Sequence, residues 1–439
     1  MCYPRPKARS RGPIERRRVT LVCSDCGVHA ADGALFCAAC GGLLSFELAA
    51  AAIGGAALRA LVLARRTSNE HRDRSGVWRY RELLPALDPQ RIVTLRENDV
   101  PLYAARGGAA YAGLDAASYL HLGMNPTGSF KDAGMTVALT HAVQTGARLA
   151  ICASTGNTAA SMAAYAARAG LHAVVLVPST GISESKVAQT LDYGATVLGI
   201  EGDFDAALAT VRQLDPRRVA IVNSVNPYRI EGQKTAAFVL LEQRAWRVPD
   251  WLVLPGGNLG NTSAFGKGFR EAFALGLIDR LPRIAVIQAA GAAPFARLFA
   301  DGGDLIPVKA QTTATAIKIG APASWKKALR EVRAAHGTVI SVDDDAIADA
   351  RAVIGRDGIG CEPASAASLA GVKVLVAAGV VGSSDDVVLV LTGHVLKDPT
   401  YAAAYHAGAR SFANAIVRTR DRADLFARID ELATARAGA

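Results

Sequence analysis

The chain lacks any apolar segment long enough to cross a membrane. Its longest apolar run, LAAAAIGGAALRALVLA from Leu48 to Ala64, is Ala-rich and interrupted by Arg59, whereas a bilayer span needs about 20 mostly apolar residues. A secretory signal is also missing, because the basic N-terminal arm is followed by VTLVCSDC and not by a sustained apolar core. We therefore expect a helix packed on the protein over this run, no membrane partner and a cytoplasmic location.

A widespread excess of positive charge is also lacking. Residues 1–18 hold seven Lys or Arg and one Glu, so this segment carries +6 of the formal net charge of +10 and leaves only +4 for the rest. The charge therefore does not favour a nucleic-acid partner. We predict that residues 1–18 form a disordered basic tail, and binding of this tail to an acidic partner is the minority interpretation.

Internal repeats and low-complexity tracts are absent beyond a general enrichment in alanine. The 439 residues are 51% hydrophobic and 20% charged, which is the balance of a soluble globular protein. That length accommodates two or three domains with sizeable cores.

Four of the seven cysteines form a cluster of two C-x2-C pairs separated by ten residues. Gly27 and Gly41 directly follow the pairs and allow the tight turns that direct backbone amides at sulfur. This spacing predicts a small zinc ribbon, and the alternative of disulfides would need an oxidising compartment. Four thiolates close a tetrahedron, so the predicted site is structural. Its ligands are Cys23, Cys26, Cys37 and Cys40.

Beyond a charged connection at residues 65–76, short apolar runs alternate with helical stretches. This alternation predicts an α/β fold with a mostly parallel sheet. The strand candidates are SYLHLG, RLAICAS, HAVVLVP, ATVLGI, RVAIVNS, WLVLP, RIAVIQA, GTVISV and VVLVLTG. The helix candidates include TAASMAAYAARAGL, SESKVAQTLDYG, KTAAFVLLEQRAW and DDDAIADARAVIG.

Several strand-to-helix loops carry polar residues, and ligands of open α/β sheets collect at such loops. ASTGNTAAS opens a helix at Gly156 or Asn157, and GGNLGNTSAFGKGF follows WLVLP. Free backbone amides at the positive end of a helix bind anions, and glycines let the backbone approach them. Each loop alone is also consistent with ordinary helix capping.

Lys131 lies in a third loop, within NPTGSFKDAGM. A loop lysine is usually a solvated surface charge. Two anion-binding loops beside it favour a different role, in which a phosphorylated cofactor is held by the loops and bound by the amine of Lys131. Arg229 in NSVNPYRIEGQK offers a phosphate-binding guanidinium. Thr392 and His394 follow VVLVLTG, and His394 is equally consistent with a general base and with a packed or capping residue.

Six motifs together resemble the threonine synthases, which are pyridoxal-phosphate enzymes of fold type II. In order, these motifs are NPTGSFKD, ASTGNTAAS, NSVNPYRIEGQK, GGNLGNTSAFGKGF, GIGCEPASAAS and LTGHVLKDP. The resemblance runs from about Val77, where VWRYRELLP is similar to the family's entry segment, to about Pro399. It implies a tryptophan synthase beta-like α/β fold with two open, mostly parallel sheets and flanking helices, here preceded by the zinc ribbon.

The resemblance also implies a domain organisation. The zinc ribbon would occupy residues 19–47 and a helical linker residues 48–76. A large cofactor-binding domain would combine residues 77–128 with 236–420, and a small domain would span residues 129–235. Relatives with similar N-terminal extensions exist, and the family suggests a homodimer.

Residue roles follow from the resemblance. Lys131 would be the catalytic lysine that forms the Schiff base with pyridoxal 5'-phosphate and then serves as the mobile acid and base. The other cofactor-binding residues would be Asn157 at the ring 3-oxygen, Thr392 at the ring nitrogen, and Gly257, Asn258, Leu259, Gly260 and Asn261 around the phosphate. A hydroxyl at the ring nitrogen tends to leave that nitrogen unprotonated. The substrate-binding candidates would be Ser154, Thr155, Thr158 and Arg229.

The implied reaction converts O-phospho-L-homoserine and water into L-threonine and phosphate by β,γ-elimination and replacement. Four positions depart from the family pattern: Ala133 stands where Arg is usual, Val395 where Gly is usual, and Asn98 and Val100 where Gly and Thr are expected. These departures keep open a serine/threonine dehydratase or another β-replacement enzyme of the same fold. A threonine-synthase-like binding protein without catalytic activity is the third alternative.

Overall fold

A computed structural model describes most of the chain. The described residues are 19–48, 54–179, 184–201, 210–211, 213–214, 219–414 and 416–435. The predicted basic tail at residues 1–18 lies outside them. The chain divides into two units, Met1–Asp398 and Pro399–Ala439. The last strand of the first unit ends at Leu391. The expected end of the large domain at residue 420 stays a prediction.

The N-terminal ribbon is a two-stranded antiparallel hairpin. β1 (Val19–Cys23) pairs with β2 (Leu44–Leu48), with Val19 opposite Leu48. Between the strands, the glycines after the two C-x2-C pairs both adopt a φ of 72°, the left-handed conformation that a tight turn requires and that glycine adopts without strain. The hairpin brings its two cysteine pairs together at one end.

A six-stranded sheet forms the larger of the two layers in the first unit. Its strand order is β11-β10-β9-β12-β4-β3, and all neighbours are parallel except β3 and β4. The strands are β3 (Leu102–Ala104), β4 (Ala117–His121), β9 (Trp251–Pro255), β10 (Arg283–Ala289), β11 (Thr338–Val342) and β12 (Val387–Leu391). Fully buried apolar strands such as β9 and β12 are typical of parallel sheets with both faces covered.

A four-stranded parallel sheet forms the smaller layer, in the order β7-β6-β5-β8. Its strands are β5 (Leu149–Ala153), β6 (His172–Pro178), β7 (Thr196–Ile200) and β8 (Ala220–Ile221). The predicted α/β class with two mostly parallel sheets is therefore confirmed. All four strands fall within the range predicted for the small domain, while the domain boundaries themselves stay a prediction.

Helices cover the sheets and connect their strands. Those of the first unit are α1 (Gly55–Arg66), α2 (Arg106–Ala112), α3 (Lys131–Gln144), α4 (Asn157–Ala169), α5 (Glu184–Asp192), α6 (Pro227–Gln243), α7 (Gly260–Ala274), α8 (Pro294–Asp301), α9 (Trp325–Ala334), α10 (Asp344–Arg356) and α11 (Pro363–Ala377). The second unit holds α12 (Pro399–Ala407) and α13 (Arg422–Ala435). Within the described residues, no helix combines the length and the apolar character needed to cross a bilayer.

The segment predicted as a helical linker, residues 48–76, contains one α-helix and one short 3-10 helix. Leu48 ends β2, residues 49–53 lie outside the described residues, and α1 covers Gly55–Arg66. A short 3-10 helix follows at His71–Arg74. α1 buries one face, with Leu58 and Val62 in the core, so the expected packing of this helix on the protein is confirmed.

α6 is the helix around which the first unit is packed. Every residue from Pro227 to Leu241 is buried. A Cβ at Gly232 would lie 1.8 Å from the carbonyl oxygen of Ala133 in α3, so only glycine allows this close approach of the two helices. On its other side α6 meets α7, where a Cβ at Gly268 would lie 2.6 Å from the Lys234 carbonyl oxygen.

Buried charges join α6 to α7. The Glu231 carboxylate accepts hydrogen bonds from Lys234, at 2.6 Å, and from Lys267. Lys234 also pairs with Glu271 at 2.8 Å. All four side chains are nearly inaccessible to water, so each charge depends on its partners within the cluster.

The ribbon packs against this cluster. The ammonium groups of Lys267 and Lys327 donate to the backbone carbonyls of Phe46 and Leu44, both in β2. Burial lowers the pKa of Lys327 to about 7. Tyr228, in the first turn of α6, packs edge-on against the Phe46 ring at 4.8 Å between centroids. The ribbon therefore supplies acceptors for two buried lysines of the first unit.

We predict that Glu231→Gln lowers the free energy of unfolding by about 3–5 kcal/mol, because it leaves Lys234 and Lys267 without their shared carboxylate. Chemical denaturation monitored by circular dichroism measures this loss. Glu70→Gln is the matched control: it breaks an ion pair with Arg72 in which the Glu70 side chain is 47% exposed, and should cost less than about 1 kcal/mol. Equal losses in the two variants would contradict the role of the buried cluster.

Candidate active site

Lys131 is the first residue of α3, directly after the loop that contains NPTGSF. The amide of Phe130 donates to the carbonyl oxygen of Thr392 at 3.0 Å, which ties this loop to the end of β12. Lys131 Nζ lies 3.9 Å from the centroid of the Phe130 ring. Part of the lysine remains accessible, yet burial and the nearby Arg229 guanidinium lower its pKa to about 7, against an opposite effect of the Glu362 carboxylate. A substantial fraction of the amine is therefore neutral at neutral pH.

Asp132 fixes the loop that precedes Lys131. Its buried carboxylate accepts hydrogen bonds from the Thr127 amide at 2.7 Å and from the hydroxyls of Thr127 and Ser161, both at 2.6 Å. Burial raises the pKa of Asp132 to about 6 despite these bonds. Because Ser161 belongs to α4, Asp132 joins the first turn of α3 to the helix that begins at Asn157.

Asn157 and Thr392 come from different sheets and meet at one carboxylate. Asn157 begins α4 after β5, as predicted, and its side-chain amide donates to Glu362 Oε2 at 2.8 Å. Thr392 follows β12, and its hydroxyl donates to Glu362 Oε1 at 2.8 Å. The structure thus places two of the predicted cofactor-binding residues on either side of Glu362. The Glu362 carboxylate also favours the charged form of Lys131.

The glycine-rich loop after β9 leads into α7, which begins at Gly260. Leu259 has a φ of 63°, which turns the chain sharply into the helix. The side chain of Asn258 is held on both sides, since it donates to the Ser224 hydroxyl at 2.6 Å and accepts from the Ala323 amide at 2.6 Å. A Cβ at Gly257 would lie 3.2 Å from the Ala316 carbonyl oxygen. The loop is therefore fixed by hydrogen bonds to the Asn258 side chain and by close packing at Gly257.

The start of α7 fits a bound phosphate. Asn261 and Thr262 are buried in the first turn, and neither amide atom of Asn261 nor the Thr262 hydroxyl has a hydrogen-bond partner in the described part of the chain. Buried polar groups are seldom left unpaired. An anion at this helix N-terminus would accept hydrogen bonds from Asn261 Nδ2 and the Thr262 hydroxyl, together with the free backbone amides. The predicted phosphate loop therefore offers unpaired donors of the kind from which a phosphate group accepts hydrogen bonds.

Arg229 is the most unusual charge of the site. It is 2% exposed, and its guanidinium donates to the Val222 carbonyl oxygen at 3.0 Å while Nε has no partner. No ion pair to Arg229 occurs among the described residues. Burial lowers the pKa of Arg229 to about 10. A buried cation without a counter-ion is costly, so this position suits an anionic ligand.

Ser154 and Thr155 lie between β5 and α4, and Thr158 is the second residue of α4. Ser154, Thr155 and Thr158 are all half-buried. The Ser154 hydroxyl accepts from the Gly156 amide at 3.2 Å, which shapes the turn.

The positions that depart from the family pattern have clear structural settings. Asn98 has a φ of 64°, a left-handed conformation that asparagine tolerates in place of glycine. Its backbone amide donates to the Asn125 side chain at 2.7 Å, so it holds the loop before Lys131. Ala133 and Val100 are buried in apolar clusters. A Cβ at Gly360 would lie 2.7 Å from Val395 Cβ, so Val395 packs against this glycine.

His394 has the capping role that the sequence left open. Its Nδ1 accepts from the Leu396 amide at 3.3 Å, and its ring is stacked on His121 with 6.3 Å between centroids.

The four ribbon cysteines form a compact group of free thiols. Their Sγ atoms all lie within 4.8 Å of one another. Cys23 and Cys37 are buried, and Cys26 and Cys40 are exposed. This spacing suits a single tetrahedral ion.

Sequence reasoning missed Glu362 and Lys397. Glu362 lies inside the motif GIGCEPASAAS, directly before the proline that starts α11, where a carboxylate is consistent with a simple helix cap. The Lys397 side chain packs against Gly128 and leaves no room there for a Cβ. The Lys397 ammonium donates a hydrogen bond to the Gln189 side chain. Burial lowers the pKa of Lys397. Glu362 lies between α10 and α11, and Lys397 lies in the loop after β12; both are inside quoted motifs, but the sequence does not show which side chains they face.

Comparison with known proteins identifies the family. The model of the pyridoxal-phosphate dependent enzymes matches residues 93–393. A threonine synthase of Methanosarcina acetivorans is 47% identical over 328 residues, covering 74% of this chain and 80% of that protein. Threonine synthases of Synechocystis and Mycobacterium bovis are 48% and 46% identical, again over 74% of this chain, and 83% and 88% of their own lengths are covered.

Solved structures show the same fold at low sequence identity. The processed form of threonine deaminase isoform 2 from Solanum lycopersicum superposes with a TM-score of 0.62 and 17% identity, covering 75% of this chain and 92% of that one. A fungal L-serine ammonia-lyase from Rhizomucor miehei gives a TM-score of 0.62 at 20% identity, covering 70% and 98%. The two-sheet architecture, with loops that lead from strands into the N-termini of helices, is thus that of fold type II. With the sequence matches, these observations establish that the chain belongs to the pyridoxal-phosphate-dependent enzymes and, within them, to the threonine synthase family.

Proposed function

We propose that this chain converts O-phospho-L-homoserine and water into L-threonine and phosphate, with Lys131 as its catalytic residue. The observation that carries the proposal is the pair formed by Lys131 and Arg229. An amine whose pKa is lowered to about 7 lies within electrostatic reach of a buried guanidinium that has no carboxylate partner. The phosphate loop at α7 is a separate anion site, so Arg229 remains for a second phosphate or carboxylate.

The cofactor would be held by residues of three loops. Lys131 would bind it covalently, Asn157 and Thr392 would contact its ring, and the start of α7 would bind its phosphate through Gly257, Asn258, Leu259, Gly260 and Asn261. When bound, pyridoxal phosphate supplies a carbonyl that takes up an amine and a conjugated ring that delocalises the electrons released at the substrate's α carbon.

Lys131 would move protons at the substrate. A general acid–base works best when its pKa lies near the working pH, and burial brings Lys131 to that range. The Lys131 amine would take the proton from Cα and exchange protons at Cβ, while α3 and Asp132 keep it in place. One side chain would then serve both to hold the cofactor and to transfer protons.

Arg229 would select and orient the phosphorylated substrate. Its planar guanidinium can bind two oxygen atoms of a phosphate at once. Ser154 and Thr155, in the turn before α4, and Thr158, in its first turn, would add hydroxyl donors for the substrate's carboxylate or phosphate. Burial of α6 along most of its length keeps the Arg229 guanidinium away from bulk solvent.

The alternative functions receive less support. A serine or threonine dehydratase has no substrate phosphate to bind, so the substrate's carboxylate would be the only anion left to pair with the buried Arg229. A binding protein without catalytic activity would have no need of a lysine with a lowered pKa beside a phosphate loop. The likeness to a deaminase and an ammonia-lyase concerns the fold alone.

We expect the purified chain, incubated with O-phospho-L-homoserine, to release threonine and phosphate in equal amounts. Amino-acid analysis and a phosphate assay measure the two products. Lys131→Ala should abolish both, together with the visible absorbance of the bound cofactor. Formation of 2-oxobutyrate from threonine, without threonine formation from O-phospho-L-homoserine, would support the dehydratase and contradict the proposal.

Arg229→Met, which keeps the apolar stem, extends this prediction to the substrate site. KM for O-phospho-L-homoserine should rise by at least about tenfold, since a charge-assisted pair is worth roughly 1.5–3 kcal/mol. Cofactor absorbance should stay as in the wild type. Arg168→Met, on the exposed side of α4, is the control and should leave KM unchanged.

We also predict that uptake of pyridoxal phosphate by the cofactor-free chain accelerates by about tenfold between pH 6 and pH 8. The neutral amine is the reactive form, and with the pKa of Lys131 at about 7 its fraction rises from about a tenth to about nine-tenths over this range. Absorbance after rapid mixing measures the rate. Pyridoxal, which has no phosphate to titrate, is the control. A half-maximal rate above pH 9 would contradict the lowered pKa.

The cysteine cluster is proposed to bind one structural Zn²⁺. Four sulfur ligands leave no open position for chemistry. We expect one zinc ion per chain by a chromogenic chelator assay, and its loss in Cys37→Ser. Cys2→Ser, outside the C-x2-C pairs, should retain the metal. A Cys37→Ser chain with full zinc content would show that the metal binds elsewhere. The homodimer remains a prediction from the family resemblance, and the cytoplasmic location remains a prediction from the sequence.

A further inference from the structure

Tyr228 connects the N-terminal ribbon to the first turn of α6. It directly precedes Arg229 in the chain and is 2% exposed. Its hydroxyl donates to Asp32 Oδ1, in the ribbon segment between the two cysteine pairs. Asp32 Oδ1 also accepts from the Gly33 amide at 3.1 Å. A side chain of the ribbon is therefore bonded to the turn that carries the buried guanidinium.

We propose that Tyr228, anchored by Asp32, is a positioning residue that orients the Arg229 guanidinium towards the phosphate of the substrate. This inference rests on the proposed function, in which Arg229 binds that phosphate. It gives the ribbon a part in substrate affinity in addition to its part in packing. Neither Tyr228 nor Asp32 has to touch the substrate, because both act through the first turn of α6.

Arg229 has few side-chain contacts of its own. Its guanidinium donates to the Val222 carbonyl oxygen at 3.0 Å, Nε has no partner, and no carboxylate pairs with it among the described residues. The direction of the side chain therefore depends on how well the backbone of its turn is held. A guanidinium binds phosphate best through two parallel hydrogen bonds, which require one orientation. A small rotation of the turn would weaken this pair.

The first turn of α6 is fixed at three places. The Asn226 side chain donates to the carbonyl oxygen of Ile221, in β8, at 2.8 Å, and accepts from the Tyr228 amide at 3.0 Å. The backbone of Arg229 packs on α3, where a Cβ at Gly134 would lie 2.7 Å from the Arg229 carbonyl oxygen. The third place is the tip of the Tyr228 side chain. Because this tip lies farthest from the helix axis, its bond to the ribbon resists rotation of the turn about that axis.

The Tyr228 ring is packed between α3 and the ribbon. His141 of α3 stacks on it at 3.8 Å between centroids, and Phe46 of β2 meets it edge-on at 4.8 Å. Burial raises the pKa of the Tyr228 hydroxyl, so this group stays protonated and remains the donor to Asp32. The ring contacts do not involve the hydroxyl, so removal of the hydroxyl alone leaves the packing in place.

Steady-state kinetics of Tyr228→Phe tests the inference. KM for O-phospho-L-homoserine should rise by about three- to tenfold, the range that one hydrogen bond contributes, while kcat and the cofactor absorbance stay as in the wild type. Asp32→Ala should have the same effect, and Asp32→Asn, which keeps an acceptor oxygen, should retain most of the affinity. The double variant Y228F/D32A should be no weaker than either single variant, because all three lack the same bond.

Glu47→Ala is the matched control. It removes a half-buried ribbon carboxylate from β2 and keeps the bond between Asp32 and Tyr228. KM should stay at the wild-type value. A rise in KM equal to that of Asp32→Ala would show a general effect of the ribbon and contradict the specific role of Tyr228.

The outcomes separate this inference from the proposed function. Wild-type KM in both Tyr228→Phe and Asp32→Ala overturns the inference and leaves the proposed function intact, and so does a loss of kcat or cofactor absorbance without a change in KM. A wild-type chain that does not convert O-phospho-L-homoserine overturns the proposed function.

In that case, titration calorimetry of the cofactor-loaded chain with inorganic phosphate decides the inference. The bound cofactor occupies the phosphate loop, so Arg229 is the remaining anion site. Kd for inorganic phosphate should rise by about three- to tenfold in Tyr228→Phe, and an unchanged Kd overturns the inference. A wild-type chain that neither converts O-phospho-L-homoserine nor binds inorganic phosphate overturns both.

Discussion

The close packing of α6 between α3 and α7 is the constraint on which the site depends. Gly232 lets the backbone of α6 touch that of α3, and Gly268 lets α7 touch α6 on the other side. The N-termini of these helices carry Lys131, Arg229 and the phosphate loop, so one buried helix sets the spacing of an amine, a guanidinium and an anion site. A side chain at either contact would push these groups apart without changing any of them.

Much of this arrangement could be predicted from local sequence. Continuous apolar runs such as VVLVLTG indicate strands covered on both faces, and all nine predicted strands are present. The loops that follow them lead into helices at Asn157 and Gly260, because glycine and small polar residues mark these starts. The role of Lys131 was the clearest prediction, because the two anion-binding loops that indicate it are visible in the same sequence.

The remaining features depend on contacts between distant segments, which local patterns do not record. Glu362 is ordinary in sequence, and becomes important only because Asn157 and Thr392, 205 and 30 residues away, meet at its carboxylate. Asn98 looked like a departure from glycine, but its φ of 64° shows that the backbone requirement is kept. The strand β3 was missed because three residues are too few for a periodic pattern.

The ribbon has the spacing of an independent module, yet its backbone is part of the charge balance of the enzyme body. The ammonium groups of Lys267 and Lys327 donate to backbone carbonyls of β2. The Asp32 carboxylate accepts a hydrogen bond from the hydroxyl of Tyr228, the residue next to Arg229. A shortened chain that began at the catalytic body would lose the carbonyl acceptor of Lys327 and one of the acceptors of Lys267. Recombination that exchanges this ribbon for another would therefore have to preserve the backbone of one strand, whatever side chains that strand carries.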